Sequence, residues 1–409
     1  MKNLVFLNSH PIQYFAPLYK ELKQKVNIPS EVIFCSRHGL QGEKDAEFGV
    51  QVKWDIPILE GYDHMFLKNQ SFRPNVESFF GLVNFGLVWQ LIRRPKSILV
   101  VHGWGYFTYV LLLLLGKMLG HTVCLRGESP LNQELLRPAS SLKKRTFFFK
   151  KILFPLIDYF LYIGQQNKAF YKYYGVREEQ LVFCPYSVEN NRFRNAFEKL
   201  HPKKDELKNK HGVPANKRVF LFSGKYIDKK RPLDLLNAFC KSEKNKDAFL
   251  IFMGEGEQRA AMEKIISEKN MDNVLLTGFV NQSSVSEFYT IADVFVMCSK
   301  EGETWGLSTN EAMNFNLPLI LSDLTGSSSD LVEEGKNGTV FKMGDVEVLS
   351  EKINQFISLP ESALEKMGAH SGQLIKKYSY AEVAHGLNQV ISRFSPPKKM
   401  AQPPLAKQL

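Results

Sequence analysis

Short apolar runs alternate with longer amphipathic segments along nearly the whole chain. Those at 3–8, 31–36, 97–102, 122–126, 159–163 and 181–184 read as strands in the first half. The runs at 218–223, 248–253, 274–277, 294–298 and 318–322 read as strands in the second. Patterns of helical period, such as 232–241 and 258–270, lie between them. Strands separated by helices imply a parallel sheet with helices on both faces. The series occurs twice, with a strandless, charge-rich break at about 190–217 between the two. This predicts an α/β chain of two domains, each a parallel sheet covered by helices on both faces. The expected divisions are 1–190, a connection at 191–216, 217–375, a helix at 376–394 that can cross back to the first domain, and a disordered tail at 395–409. That tail, SPPKKMAQPPLAKQL, is proline-rich and has no periodicity.

The longest apolar stretch, SILVVHGWGYFTYVLLLLLGKMLG at 97–120, is interrupted by His102 and glycines. Its uninterrupted leucine run falls short of the roughly 18 residues a membrane span needs. A strand, a glycine turn and a buried helix are expected there. The start, Met-Lys-Asn-Leu-Val-Phe-Leu-Asn8, lacks the apolar length and cleavage site of a signal peptide and reads as a first strand. Cys35, Cys124, Cys184, Cys240 and Cys298 are scattered and odd in number, which suits reduced, buried thiols and a cytoplasmic protein. The 409 residues exceed what one core serves. The net charge of +11 points to an anionic partner without naming it.

Candidate chemistry collects at the ends of strands in the second half. After the run 292–298 comes Glu301-Gly-Glu303-Thr-Trp-Gly-Leu-Ser-Thr-Asn-Glu311. Gly306 permits a tight turn, and a helix should begin near Leu307, offering free N–H groups and a positive dipole end to a phosphate. Glu311 falls about one turn inside that helix and Glu303 on the loop before it. Two carboxylates so placed can accept hydrogen bonds from hydroxyls, although spacing alone favours a solvated loop and an exposed helical glutamate. A second strand ends in Ser223-Gly224-Lys225, followed by Lys229-Lys230-Arg231-Pro232, with proline suited to a helix's first turn. Cations at that edge of a parallel sheet suit a diphosphate; a solvated basic loop is the plainer alternative. Met253-Gly254-Glu-Gly256-Glu and Leu276-Thr-Gly278-Phe-Val280 are further strand-end turns, weak by themselves.

In their order and common placement these segments resemble the retaining glycosyltransferases of family 4, which have the GT-B fold: two Rossmann-like domains with parallel sheets facing a central cleft. The resemblance covers most of 215–345. It implies that Lys225 and Lys230 hold a donor diphosphate, with Lys225 standing where arginine is usual. It likewise implies that Gly254 and Gly256 form the turn near the nucleotide, and that the Val280 backbone meets the base. Glu311 is expected at the ribose, Glu303 at the transferred sugar, and Trp305, Gly306 and Leu307 around the sugar hydroxyls and phosphate. Ser327, Ser328 and Ser329 depart from the commoner versions of the following loop.

The first half resembles a bacterial subgroup that opens with a His-Pro-Ile-Gln-Tyr turn, here His10 to Tyr14; Trp54-Asp55 and Leu59-Glu-Gly-Tyr62 are similar too. His10, Gln13, His102, Arg126 and Glu128 are the cleft candidates on this side. The implied enzyme transfers a sugar with retention from a nucleotide-sugar to a glycan or lipid-linked acceptor in cell-surface polysaccharide biosynthesis. The first domain binds the acceptor and the second the donor. No Asp-x-Asp triplet and no zinc spacing occurs in the sequence, so no metal or other cofactor is expected. Alternatives are a GT-B relative such as a sugar-nucleotide epimerase or phosphorylase, or a non-catalytic basic protein that binds membrane or nucleic acid. Lys143-Lys-Arg-Thr-Phe-Phe-Phe-Lys-Lys151 interleaves cations with phenylalanines. It suits either an anionic membrane surface on the inner face or a helix with a buried phenylalanine side; nucleic acid is not expected.

Overall fold

The computed structural model describes residues 4–24, 28–40 and 57–394. The expected tail at 395–409 and the Trp54-Asp55 segment lie outside the described residues. Two parallel sheets form. The first contains β1 (Leu4–Asn8), β2 (Ser30–Phe34), β3 (Asp63–Phe66), β4 (Ile98–Val101), β5 (Thr122–Leu125), β6 (Tyr159–Tyr162) and β7 (Leu181–Phe183). Its order is β3-β2-β1-β4-β5-β6-β7. The second contains β8 (Arg218–Ser223), β9 (Ala248–Met253), β10 (Val274–Leu276), β11 (Val294–Met297), β12 (Leu319–Ser322) and β13 (Gly338–Phe341), in the order β10-β9-β8-β11-β12-β13. Each is a doubly wound sheet whose strand order reverses once, between β1 and β4 and between β8 and β11. Such switch points open a crevice at the carboxyl ends of the strands, and here the two crevices face each other across one cleft. This is the GT-B architecture.

Two strands have no counterpart among the sequence-predicted runs, β3 and β13. Both are edge strands: β3 begins with the exposed Asp63 and His64, and β13 opens on a glycine. Neither makes an apolar run. The 97–120 stretch folds as β4, a glycine turn and a helix, Phe107–Met118. That helix is buried only on the side of Leu112, Leu113 and Gly116; Leu114 and Met118 stand in solvent. The buried helix expected there is thus buried on one face and open to solvent on the other. No helix among the described residues is long and apolar enough to cross a membrane. Cys35, Cys124, Cys184 and Cys298 are buried free thiols, and Cys240 is half-buried.

The charged break forms helices Asn190–Leu200 and Lys204–Lys210. The first packs against helices Val285–Ile291 and Leu307–Asn314 of the second domain. The last helix, Tyr380–Phe394, returns to the first domain: it packs on β7 and on helix Ala16–Gln24, and the Tyr380 hydroxyl reaches the Tyr14 carbonyl at 3.4 Å. One apolar cluster runs from the first sheet through Tyr186, Trp305 and Tyr378 to the second sheet. The domains therefore share buried surface as well as a cleft.

Candidate active site

Residues from both domains line a cleft of about 480 Å³. On the second domain's side, β8 delivers Ser223, Gly224 and Lys225 to its wall, and the turn after it delivers Lys229 and Lys230. Arg231 closes that turn in the left-handed region, at φ +53°. It is held there by Asp228 at 3.0 Å and Asp234 at 2.8 Å, and Pro232 then opens the helix Pro232–Lys241. The Lys230 ammonium forms an ion pair with the Glu303 carboxylate. The strand-end turns of β8 and β9 touch so closely that a Cβ on Gly254 would lie 1.9 Å from the Gly224 carbonyl oxygen. Only glycine fits there.

The loop after β11 brings Glu303, Thr304 and the Trp305 backbone to the cleft, and Gly306, at φ +92°, caps helix Leu307–Asn314. The helix N-terminus thus opens onto the same space as the two lysines. Trp305 itself turns away: it is 2% exposed, donates to the Asn310 side chain at 2.8 Å, and packs on Tyr186 and Tyr378. Glu303 is 9% exposed and Glu311 3%. Spacing alone had favoured solvated glutamates; burial and specific partners replace that expectation. One Glu311 oxygen accepts from the Tyr289 hydroxyl at 2.7 Å, and burial pushes the carboxyl's pKa up against the opposing pull of Tyr289 and Arg192. Val280 lines the cleft beyond β10. Gly256 stands back from it, where a Cβ would meet the Tyr226 backbone at 2.7 Å.

On the first domain's side, His10 and Gln13 line the cleft beside Tyr14. His10 accepts or donates to the Ser9 hydroxyl at 3.0 Å. Burial and then the neighbouring His38 lower its pKa to about 4, so the imidazole is neutral at pH 7. Tyr14 is pushed well above its ordinary pKa by burial and then by the charge of Glu311, which places the first domain's turn against the second domain's glutamate. His102 and Arg126 do not reach the cleft surface. His102 packs on Phe15, ring centroids 4.6 Å apart, with the Tyr19 hydroxyl at 3.4 Å. The Arg126 guanidinium stacks over Phe15 at 5.2 Å and Tyr186 at 4.5 Å. Glu128 sits at the domain seam, where it accepts from the Tyr186 hydroxyl and, at 3.1 Å, from Thr304.

Several residues at the site had drawn no notice in the sequence. Gln133, on the one-turn helix Leu131–Glu134, grips the loop that carries Glu303. Its oxygen accepts from the Gly302 N–H at 2.9 Å. Its amide donates to the Glu303 carbonyl at 3.0 Å and the Leu324 carbonyl at 2.7 Å. Asn132 donates to the Asp323 carbonyl at 2.9 Å. Arg192, from the connecting helix, fixes the cleft residue Gln282 through two bonds of 2.6 and 3.1 Å. A side-chain amide that mimics a strand partner has no sequence signature; only the topology brings 133 to 302.

Residues 203–373 match the family model of glycosyl transferases group 1, and this part of the chain is a glycosyltransferase group 1 domain. The spore coat protein SA of Bacillus subtilis (strain 168) is 27% identical over 200 residues, 46% of this chain and 52% of that protein. The alpha-monoglucosyldiacylglycerol synthase of Acholeplasma laidlawii is 32% identical over 143 residues, 34% of this chain and 35% of that one. The chain thus spans about half of the first of these curated relatives and about a third of the second. The Anabaena HepE structure, in complex with UDP and glucose, superposes at a TM-score of 0.69 with 14% identity, covering 96% of this chain and all of that one. At that identity it shows the fold.

Proposed function

We propose that the protein is a retaining glycosyltransferase of family 4 that moves a sugar from a nucleotide-sugar to a glycan or lipid-linked acceptor in cell-surface polysaccharide synthesis. The observation that carries this reading is the convergence at one crevice of Lys225, Lys230, a helix N-terminus and two buried glutamates. Lysines and N–H groups suit the donor's diphosphate. Glu311 suits the ribose hydroxyls, the Val280 backbone the base, and Glu303 the sugar. HepE, the structural neighbour, binds UDP and glucose, which makes UDP-sugars the first donors to test.

In the reaction the bond between the sugar's anomeric carbon and the diphosphate oxygen breaks, and a bond to the acceptor oxygen forms on the same face. The acceptor's hydroxyl proton passes to the departing diphosphate. Lys225, Lys230 and the Leu307 helix end stabilise the charge that develops there. Lys230 pairs with Glu303, so a donor diphosphate competes with that carboxylate for the ammonium and leaves Glu303 to the sugar hydroxyls. The positive charge comes from the chain itself, and no step is routed through a metal. Thermal-shift screening against UDP-, GDP- and ADP-sugars identifies the donor. Transfer assays of Glu311→Ala and Lys230→Ala then test the site: both should lose transfer and stay folded, and full activity in either overturns the assignment. Product analysis with and without acceptor separates transfer from epimerisation or phosphorolysis.

A further inference from the structure

Among the described residues, every large apolar side chain standing exposed lies between Phe72 and Tyr173, in the first domain. The second domain has none, so the asymmetry is not the ordinary scatter of surface hydrophobics. Most of these residues belong to one layer. Helices Gly86–Arg93 and Phe107–Met118 pack side by side, and the second packs on the turn Phe154–Leu156. Their inner residues Leu87, Leu91, Leu112, Leu113, Phe149 and Leu153 share one core against the first sheet. Their outer faces carry Phe85, Trp89, Ile92, Leu114 and Met118, with Trp89 63% and Met118 72% exposed. On the adjoining segment, Phe147, Phe148 and Ile152 also face solvent, while Phe149 is fully buried. The basic segment 143–151 is thus not a helix with its phenylalanine side wholly buried: its phenylalanines divide between core and solvent.

The charged residues of these segments are all cations, three of which, Arg94, Lys117 and Arg145, pair with Glu31, Asp158 and Glu134 of neighbouring elements. Residues 86–96, 107–120 and 139–153 together contain nine lysines and arginines and no aspartate or glutamate. Arg93 lies over the Trp89 ring at 5.2 Å, so cation and aromatic are presented together. Apolar side chains ringed by cations match the interface of an anionic bilayer, where rings enter the acyl boundary and lysine stems reach back to the headgroups. A second copy is a poor occupant, because a two-fold contact sets this layer against its own cations, Lys143, Lys144, Lys150 and Lys151 among them. Nucleic acid offers nothing to Ile92, Leu114 and Met118.

The layer also points the right way. Helix Gly86–Arg93 precedes β4 and helix Phe107–Met118 follows it, so both begin at the carboxyl edge of the sheet, where the cleft opens. An aromatic cluster marks that end: Phe79 to Phe80 at 4.9 Å, Phe80 to Phe107 at 5.9 Å, Phe85 to Phe107 at 6.1 Å. Leu135 and Leu136, both exposed, follow Gln133 at the cleft's rim. We propose that this helix layer docks the protein on an anionic lipid surface with the acceptor side of the cleft at the membrane. The inference deepens the reading of a lipid-linked acceptor and rests on it for that orientation.

The test is flotation of the full chain with phosphatidylcholine vesicles, with and without phosphatidylglycerol. Wild type should float with the anionic vesicles only, and less as salt rises. Phe80→Ser/Trp89→Ser/Ile92→Ser should partition at least about tenfold more weakly. It should keep the wild-type melting temperature and wild-type transfer to a water-soluble acceptor. The variant Lys143→Ser/Lys144→Ser/Lys150→Ser/Lys151→Ser should lose the preference for anionic lipid. Absence of flotation, or a triple variant that floats like wild type, overturns the proposal. So does a dimer that Trp89→Ser converts to monomer, which assigns the face to a second copy. Transfer to the soluble acceptor is scored separately, so loss of docking and failure of the catalytic reading give different results.

Discussion

Replacing Gln133 tests whether the first domain holds the catalytic loop in place. The donor-side contacts proposed for the nucleotide (Lys230, Val280, Glu311) all belong to the second domain, so nucleotide binding does not need Gln133. The loop that positions Glu303 does: three hydrogen bonds of 2.7 to 3.0 Å tie it and the Leu324 carbonyl to one amide. A net hydrogen bond is worth about 1 kcal/mol. Gly302 is exposed, and water replaces its bond on truncation, so the net loss in Gln133→Ala is about 2 kcal/mol. At about 1.4 kcal/mol per decade this is roughly 30-fold in turnover. Gln133→Glu is the sharper variant. It keeps an acceptor for Gly302 but sets a carboxylate against two carbonyl oxygens, and should fall below Gln133→Ala. The assay is steady-state transfer alongside the thermal shift given by the free nucleotide. The expected result is a lower kcat with an unchanged shift. Turnover within about twofold of wild type in both variants would refute the clamp, since it removes the whole 2 kcal/mol.

The remaining expectations concern charge and space. Because burial raises the Glu311 pKa in the folded state, folding favours its protonated form, and stability falls as pH rises above the ordinary carboxylate value. Glu311→Gln should therefore melt higher than wild type at pH 7, with the gain shrinking toward pH 4, while transfer is lost; thermal melts across pH check this. His10 shows the opposite linkage: its folded pKa of about 4 lies below the unfolded value, so it opposes folding as pH drops through 6.5 toward 4. His10→Gln should be the more acid-stable protein in the same melts. Gly254→Ala must push the β8 and β9 turns apart, since its Cβ would sit 1.9 Å from a backbone oxygen. It should cost about 1–3 kcal/mol in urea unfolding and weaken nucleotide binding. Lys230→Arg keeps the charge but not the point geometry, and should retain more transfer than Lys230→Ala.

What was legible in the sequence follows from how locally each feature is encoded. Every central strand of both sheets is a short apolar run, and both positions of Glu303 and Glu311, on loop and helix, follow from Gly306 and the helix behind it. The edge strands β7 and β10 carry apolar runs and are legible; β3 escapes because it opens on the exposed Asp63 and His64, and β13 because its four residues open on glycine and threonine. The polar half of the cleft escapes for another reason. His102 and Arg126 follow strand ends, as cleft residues do, yet neither lines the cleft: His102 packs on Phe15, and Arg126 stacks on Phe15 and Tyr186. A strand-end position fixes the edge of the sheet a residue occupies; it does not fix what packs in front of it.

Gln133, Glu128 and Arg192 mark the further limit. Gln133 acts across the domains on Gly302 and Glu303, Glu128 likewise on Thr304, and Arg192 acts from the connecting helix on Gln282. The contacts of Gln133 and Glu128 span up to 191 residues and exist only because the two sheets face each other. Such residues convert relative domain position into loop geometry. If the domains separate, Glu303 loses its bracing from Gln133 and Glu128 together, while Lys230 and Glu311 keep their places on the second domain. If the chain transfers sugar as proposed, Lys230 and Glu311 hold the nucleotide-sugar from the second domain alone, whereas the loop that carries Glu303 is braced only in contact with the first domain, which ties positioning of the sugar to the domain proposed to supply the acceptor.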